Sequence, residues 1–302
     1  MNGLDPISDL AIPALVWLLM LVVGLELTPG DFRGVLRYPR AVAVATLGQL
    51  LVLPACAALL IWVQRPEPWV MAGLILLAAS PGGAMSNFFC YLGKGNVALS
   101  VTLTTLSTLL APVTMPALVA AGLSLFLHES HQVPTLVGSM AGQLVLMMLF
   151  PLGLGMGLRA RMPARISASR ASLRALSLIG IAALVAMILF DQRDGLAAAT
   201  RAALPVALPF CVLAMTAGLL IGVLARLPDR DRFTLLIELS IRNLALVAII
   251  GTAVLGQVKL VLFATLFFLV ELPLVLMLIA LRARLVNRLV NRLAGDQAPS
   301  QG

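Results

Sequence analysis

Ser80-Pro81-Gly82-Gly83-Ala84-Met85-Ser86-Asn87 interrupts an apolar run that extends from about residue 69 to residue 92. Pro81 removes a backbone donor and clashes with the preceding turn, and the paired glycines loosen the chain. Unsatisfied backbone in hydrocarbon costs several kcal/mol per group, so such a break survives only where it is buried in protein or lines a cavity. A simple proline kink accounts for Pro81 but not for Ser86 and Asn87 directly after it. A broken helix carrying polar chemistry accounts for both.

Outward from this stretch the chain is apolar almost throughout. It has 302 residues, of which 61% are hydrophobic and 11% charged, with a mean hydropathy of +1.04; soluble domains carry roughly 25% charged residues. That much apolar surface cannot be coated by so little polar surface. The class is an all-α polytopic membrane protein, which excludes soluble enzymes, DNA-binding proteins and disulfide scaffolds. Cys56, Cys90 and Cys211 all lie in apolar runs and form no C-x-x-C pair, which argues against both disulfides and a metal. Met1-Asn2-Gly3-Leu4-Asp5 has no basic segment and reads as a start without a signal peptide. Nine spans are expected, at about 8–27, 39–63, 69–92, 97–125, 133–158, 171–190, 202–225, 233–255 and 259–281. Sustained strand-like alternation is absent, which argues against a β-barrel.

The basic residues orient these spans. Arg33, Arg37, Arg40, Lys94, Arg159, Arg161, Arg165, Arg170, Arg174, Arg226, Arg230, Arg232, Arg282, Arg284, Arg288 and Arg292 fall on one side. Arg65, Arg193, Arg201 and Lys259 fall on the other. The bias puts the N-terminus outside and the C-terminus in the cytoplasm of a plasma (inner) membrane, with the net charge of +8 explained without nucleic acid. The tail arginines read as an anchor near anionic lipid.

Two echoes suggest a duplication. Val52-Leu53-Pro54-Ala55-Cys56 resembles Ala207-Leu208-Pro209-Phe210-Cys211 at a displacement of 155, and Asn87 precedes Asn243 by 156. An odd number of helices per unit inverts the second copy. Spans five to nine make a unit of five, so the first unit, with four, lacks its opening helix.

The eighth span carries the second polar interruption. Glu238, Arg242 and Asn243 stand in an otherwise apolar run. A charge at the bilayer centre costs at least about 2.5 kcal/mol on insertion scales, so such residues have partners or line a site. Glu238 and Arg242 are four apart and suited to an internal ion pair; alternatively Glu238 ligates a cation in a stretch of opened helix. Ser100 and Thr104 share a face of the fourth span, beside Thr105, Ser107 and Thr108, and are suited to an oxygen cage with Ser86 and Asn87 or to bonding back to their own helix. Glu271 is a third intramembrane charge that offsets Arg242, faces the cavity or exchanges a proton. Gly153, Gly155 and Gly157, with Gly138 and Gly142, are expected at close helix crossings. His128 and His131 make no metal site alone. Neither a metal-ligand cluster nor a Ser/His or Cys/His pair at shared depth points to an enzyme.

At these residues the sequence resembles the bile acid:sodium symporter family over most of its length. Gly24-Leu25-Glu26-Leu27 with Asp31-Phe32 and Pro39 is similar to its opening signature. Pro81 to Asn87 is similar to its P-G-G-x-x-S-N break, Gly95 to Ser100 and Ser107 to Pro112 to the crossing helix, and Glu238 to Asn243 to its second break, E-x-G-x-Q-N. The resemblance implies a panel domain of spans one, five and six (1–35 and 130–195), a core domain of spans two to four and seven to nine (36–129 and 196–285) and a cytoplasmic tail (286–302). The two broken helices would cross in the core. It implies two sodium ions driving uptake of an organic anion, a bile acid or a smaller carboxylate. The first ion would lie on Ser86, Asn87, Ser100, Thr104 and Glu238. The second would lie on Gln49, Glu238 and the carbonyls of Leu239 and Ile241. Substrate or coupling roles fall to Arg242, Asn243 and Glu271, around a break built on Pro81, Gly82 and Gly83.

One departure changes the expectation. The family's glutamine is Arg242 here, and its glycine is Ser240. A guanidinium has donors only and stays charged, so it cannot ligate sodium. Arg242 is therefore expected to stand in for the second ion, leaving coupling to one sodium. A proton-coupled or uncoupled anion transporter, and a sensor that keeps the site without cycling, are the alternative readings. The expected partners are a small organic anion and membrane lipid, with neither nucleic acid nor an obligate protein partner indicated.

Overall fold

The computed structural model describes residues 10–127 and 133–295. His128 and His131, the first nine residues of the panel segment and the last seven of the tail lie outside the described residues.

The described chain is helical. Apolar runs of this length have no water to satisfy their backbone, and the helix satisfies it internally. The elements are α1 (Ile12–Glu26), α2 (Pro39–Gln64), α3 (Pro68–Ala79), α4 (Met85–Leu92), α5 (Val97–Leu127) and α6, which runs from the helix Val133–Leu144 through Val145–Leu149 into Phe150–Arg161. There follow α7 (Arg170–Asp191), α8 (Leu196–Leu224), α9 (Asp229–Ser240), α10 (Leu244–Val254) and α11 (Val258–Gly295). Six of these, α2, α5, α6, α7, α8 and α11, are long and apolar enough to cross a membrane. The remaining helices are short: α1 alone, and the pairs α3–α4 and α9–α10, each separated by a few residues of open chain. The eleventh helix continues well past residue 281, through the start of the segment expected as a tail.

Prolines shape two of the long helices. Pro54 and Pro151 each follow a widened turn, at Gly48–Val52 and Val145–Leu149. A proline deprives the carbonyl four residues back of its donor, and the wide turn absorbs the mismatch. The first of these turns carries Gln49.

Helix α1 packs on the Phe150–Arg161 part of α6 and on α7, while α8 packs on α9, α11 and α2, and α3 lies between α5 and α11. The contact of α1 with α6 is a glycine crossing. A Cβ on Gly155 would lie 2.4 Å from the Leu21 carbonyl oxygen, and one on Gly24 would lie 2.2 Å from that of Leu152. Gly138, Gly142, Gly153 and Gly157 have nothing within 4 Å of an added Cβ. The expectation of close packing thus holds for Gly155 alone among the five, because only its face of the helix meets another backbone.

Candidate functional site

The two breaks meet. Helix α3 ends at Ala79 and α9 ends at Ser240, each in extended backbone. Gly82 and Arg242 then face each other in an isolated antiparallel bridge. Gly83 N–H donates to the Ile241 carbonyl at 3.0 Å, and Asn243 N–H donates to the Pro81 carbonyl at 3.0 Å. Each break thereby satisfies the other's backbone, which is what permits open chain in an apolar surround. In a continued helix the Asn243 N–H would serve the Leu239 carbonyl; here it is diverted to Pro81.

Both glycines make close approaches at this meeting. A Cβ on Gly83 would stand 2.8 Å from the Arg242 carbonyl oxygen, and one on Gly82 2.8 Å from Glu238 Oε2. Gly82 N–H donates to Ser107 Oγ at 3.3 Å, while Ser107 Oγ donates to the Thr104 carbonyl. Ser86 and Asn87 lie not in the interruption itself but in the first turn of α4, since the helix resumes at Met85.

Four of the expected site residues converge. Glu238, on the last turn of α9, is 0% exposed. Its Oε1 accepts from Ser86 Oγ at 2.5 Å, from Ser100 Oγ and from Thr104 Oγ1 at 3.0 Å; Thr104 also reaches Oε2 at 3.2 Å. The hydroxyl oxygens of Ser100 and Thr104 lie 3.4 and 3.2 Å from Ser86 Oγ. Three separate helices thus present oxygen, and only oxygen, to one point. That donor set suits a hard cation and not a soft one. The buried carboxylate has hydroxyl donors but no counter-charge within ion-pair distance among the described residues, and a cation would supply it. Asn87 Oδ1, next in the chain to Ser86, is buried without a hydrogen-bond partner.

The second expected group is arranged differently. Gln49 is buried beside Gly82, and its Nε2 has no partner. The Ile241 carbonyl accepts from Gly83 N–H. Leu239 is buried against Gly48. Arg242 is 5% exposed; its Nη2 donates to the Ala78 carbonyl at 3.3 Å, and its Nε and Nη1 have no partner. No ion pair within 4 Å joins Arg242 to Glu238 or Glu271. The internal pair that four-residue spacing allowed is not formed, because the break at Ile241–Asn243 takes Arg242 off the face of α9. Its guanidinium lies instead at the carboxyl end of α3, where the helix dipole favours a cation. Glu271 is 2% exposed with Oε1 unpartnered. Asn243 caps α10, its Oδ1 accepting from Leu246 N–H at 3.2 Å.

A cavity of about 450 Å³ opens beside the crossing. Its polar lining includes Asn87, Thr104, Thr105, Arg242 and Asn243 from the crossing, with Arg159 and Arg174 from α6 and α7; Phe88, Tyr91, Leu178 and Phe268 are among its apolar walls. Sequence reading missed Arg159 and Arg174 as lining residues, since both looked like loop charges. Arg159 Nη1 also donates to the Leu25 carbonyl at 2.8 Å, capping α1. Asp31 accepts from the Thr28 amide at 2.6 Å and lines the same cavity. Glu26 also lines it, so the cavity carries both signs of charge between its apolar walls, and its volume suits a small molecule.

The model of the Sodium Bile acid symporter family matches residues 13–199. The chain is 29% identical over 236 residues, 78% of its length and 72% of the relative's, to the uncharacterized sodium-dependent transporter YocS of Bacillus subtilis (strain 168). It is 40% identical over 134 residues to the probable sodium/metabolite cotransporter BASS2, chloroplastic, of Oryza sativa subsp. japonica, covering 41% of this chain and 32% of that one. It is 30% identical over 115 residues to a sodium-dependent organic anion transporter of Bos taurus, covering 38% and 30%. The chain thus spans about a third of the last two.

Proposed function

Because the chain belongs to the sodium bile acid symporter family, we propose that it is a sodium-coupled symporter that imports an organic anion by alternating access. The observation that carries this is the oxygen cage: Glu238 with Ser86, Ser100 and Thr104, at the point where two broken helices hydrogen-bond to each other. A sodium ion there would be the co-transported substrate, with Asn87 Oδ1 as a further ligand. The anion would lie in the adjacent cavity, where Arg159, Arg174 and Arg242 contribute positive charge and the apolar walls accept its body.

The reading includes nine spans, with α3–α4 and α9–α10 each crossing once as a broken pair, in two inverted repeats of which the first lacks a helix. Spans one, five and six form a panel and the rest a core; ion binding organises the crossing and the core moves against the panel. On this reading the positive-inside bias of the basic residues supports an outside N-terminus and a cytoplasmic C-terminus, and the cavity, lined by Arg159 and Arg174, opens inward. Arg242 occupies the place of a second cation as a tethered charge beside Gln49, and one sodium drives each cycle. Ligands shift such an equilibrium only by their differential affinity for its states.

The test is uptake of a labelled bile acid and a panel of small carboxylates into proteoliposomes. An inward sodium gradient is expected to drive accumulation that potassium does not support. Accumulation driven by a proton gradient without sodium would overturn the ion assignment in favour of proton coupling through Glu271, with Arg242 as its fixed positive charge.

A further inference from the structure

We propose that Asn96, Asp231 and Thr234 form a register clamp that positions Glu238 for its ion; this rests on the reading of the Glu238 cage as a sodium site. Asn96 stands just before α5 and uses three groups at once. Its backbone N–H donates to Thr234 Oγ1 at 2.8 Å, its Nδ2 donates to Asp231 Oδ1 at 2.8 Å, and its Oδ1 accepts from Leu99 N–H at 3.1 Å, capping α5. Thr234 and Asp231, both on α9, are buried.

Four residues further along each helix the same two elements meet again. Ser100 of α5 donates to Glu238 of α9, and Thr104 follows one turn later. Asn96 precedes Ser100, and Thr234 precedes Glu238, by the same four residues. The two rungs are therefore about 6 Å apart at 1.5 Å per residue. A helix is stiff over one turn, so a slip at the first rung reaches the second almost undiminished. Sites of this kind require placement within about 0.5 Å.

The turn that carries Asn96 is seated on α9 from both sides. A Cβ on Gly93 would fall 2.2 Å from the Phe233 ring, and one on Gly95 3.0 Å from Thr234 Oγ1, so the turn approaches as closely as glycine allows. From α11, Arg282 Nε donates to the Gly93 carbonyl at 3.0 Å, its guanidinium lies 4.5 Å over the Phe233 ring, and it pairs with Asp229. These ties hold the end of α4 and the starts of α5 and α9 to Arg282 of α11 without touching the cage. Asn96, Asp231 and Thr234 are positioning residues: the ion's affinity depends on them although they do not ligate it.

The experiment is thermal unfolding of the purified full chain titrated with sodium chloride, against potassium chloride at equal ionic strength. Wild type is compared with Thr234→Val, which is isosteric, and with Asp231→Ala, which keeps the test open should Thr234→Val not purify. Thr234→Ser and Asp231→Asn retain the hydroxyl and the acceptor. The sodium-free Tm reports structural loss, and the apparent sodium Kd reports positioning. The expected result is an apparent Kd raised at least tenfold in Thr234→Val and Asp231→Ala and kept within twofold in Thr234→Ser and Asp231→Asn. A wild-type Kd in the first two, or no rescue by the second two, overturns the clamp while leaving the sodium site standing. A wild type with no sodium-specific response overturns the sodium reading and the clamp with it.

Discussion

Replacing Gly82 by alanine separates the ion site from the fold that holds it. The added Cβ would stand 2.8 Å from Glu238 Oε2 and 3.6 Å from both Gln49 Nε2 and Ser107 Oγ. The nearest of these is the end of a side chain, so the carboxylate withdraws by about 0.5 Å to ordinary contact while the backbone bridge stays intact. Glu238 is held by three hydroxyls, and such a shift weakens at least one charge-assisted hydrogen bond, worth about 1.5–3 kcal/mol. The cage loses that much of its pre-organisation for a cation, which corresponds to a roughly 10- to 100-fold weaker sodium affinity. The adjacent Gly83→Ala is the contrast. Its Cβ meets the Arg242 carbonyl oxygen at 2.8 Å, which is backbone and cannot yield. Gly83→Ala therefore parts the two breaks and loses two buried backbone bonds, at a cost of about 2–5 kcal/mol of stability. Isothermal titration with sodium and thermal unfolding in potassium read the two effects separately. Gly82→Ala with wild-type sodium affinity, or Gly83→Ala with a wild-type Tm, would refute the geometry on which the site is built.

Further outcomes follow from the same contacts. Arg242→Gln replaces a donor-only cation by a group with an acceptor beside Gln49, and is expected to raise the sodium-to-substrate ratio from one to two, measured by accumulation at set gradients. Gly155→Ala forces a Cβ against the Leu21 carbonyl and is expected to destabilise by about 1–3 kcal/mol, whereas Gly153→Ala and Gly157→Ala, with open space around them, leave the Tm unchanged or raise it. Asn243→Ala removes the side-chain cap of α10 and is expected to cost about 1 kcal/mol, seen as a lower Tm that Asn243→Asp restores.

Much of the fold was legible because hydrophobic length and helix-breaking residues are local signals. The interruption at Pro81-Gly82-Gly83 and the polar cluster at Glu238-Ser240-Arg242-Asn243 mark both breaks from sequence alone. What spacing could not supply was their pairing. The Gly82–Arg242 bridge joins residues far apart in the chain, and it is this bridge that turns Arg242 away from Glu238 and defeats the four-residue ion-pair rule. The convergence of Ser86, Ser100 and Thr104 on Glu238 came from family resemblance rather than periodicity, since each hydroxyl equally suits its own helix. The tie from Asn96 to Asp231 and Thr234 went unread: Asn96 ahead of an apolar run is a capping signal, but nothing local points to its partners on α9. Likewise the G-x-G-x-G of α6 shows three glycines and cannot say which one meets α1.

Saturation binding of radiolabelled sodium to the purified chain, wild type against Glu238→Gln, tests the central claim most directly. One saturable sodium per chain, abolished by Glu238→Gln and unaffected by potassium, is the result this account requires. No saturable binding, or binding that survives Glu238→Gln, would contradict it.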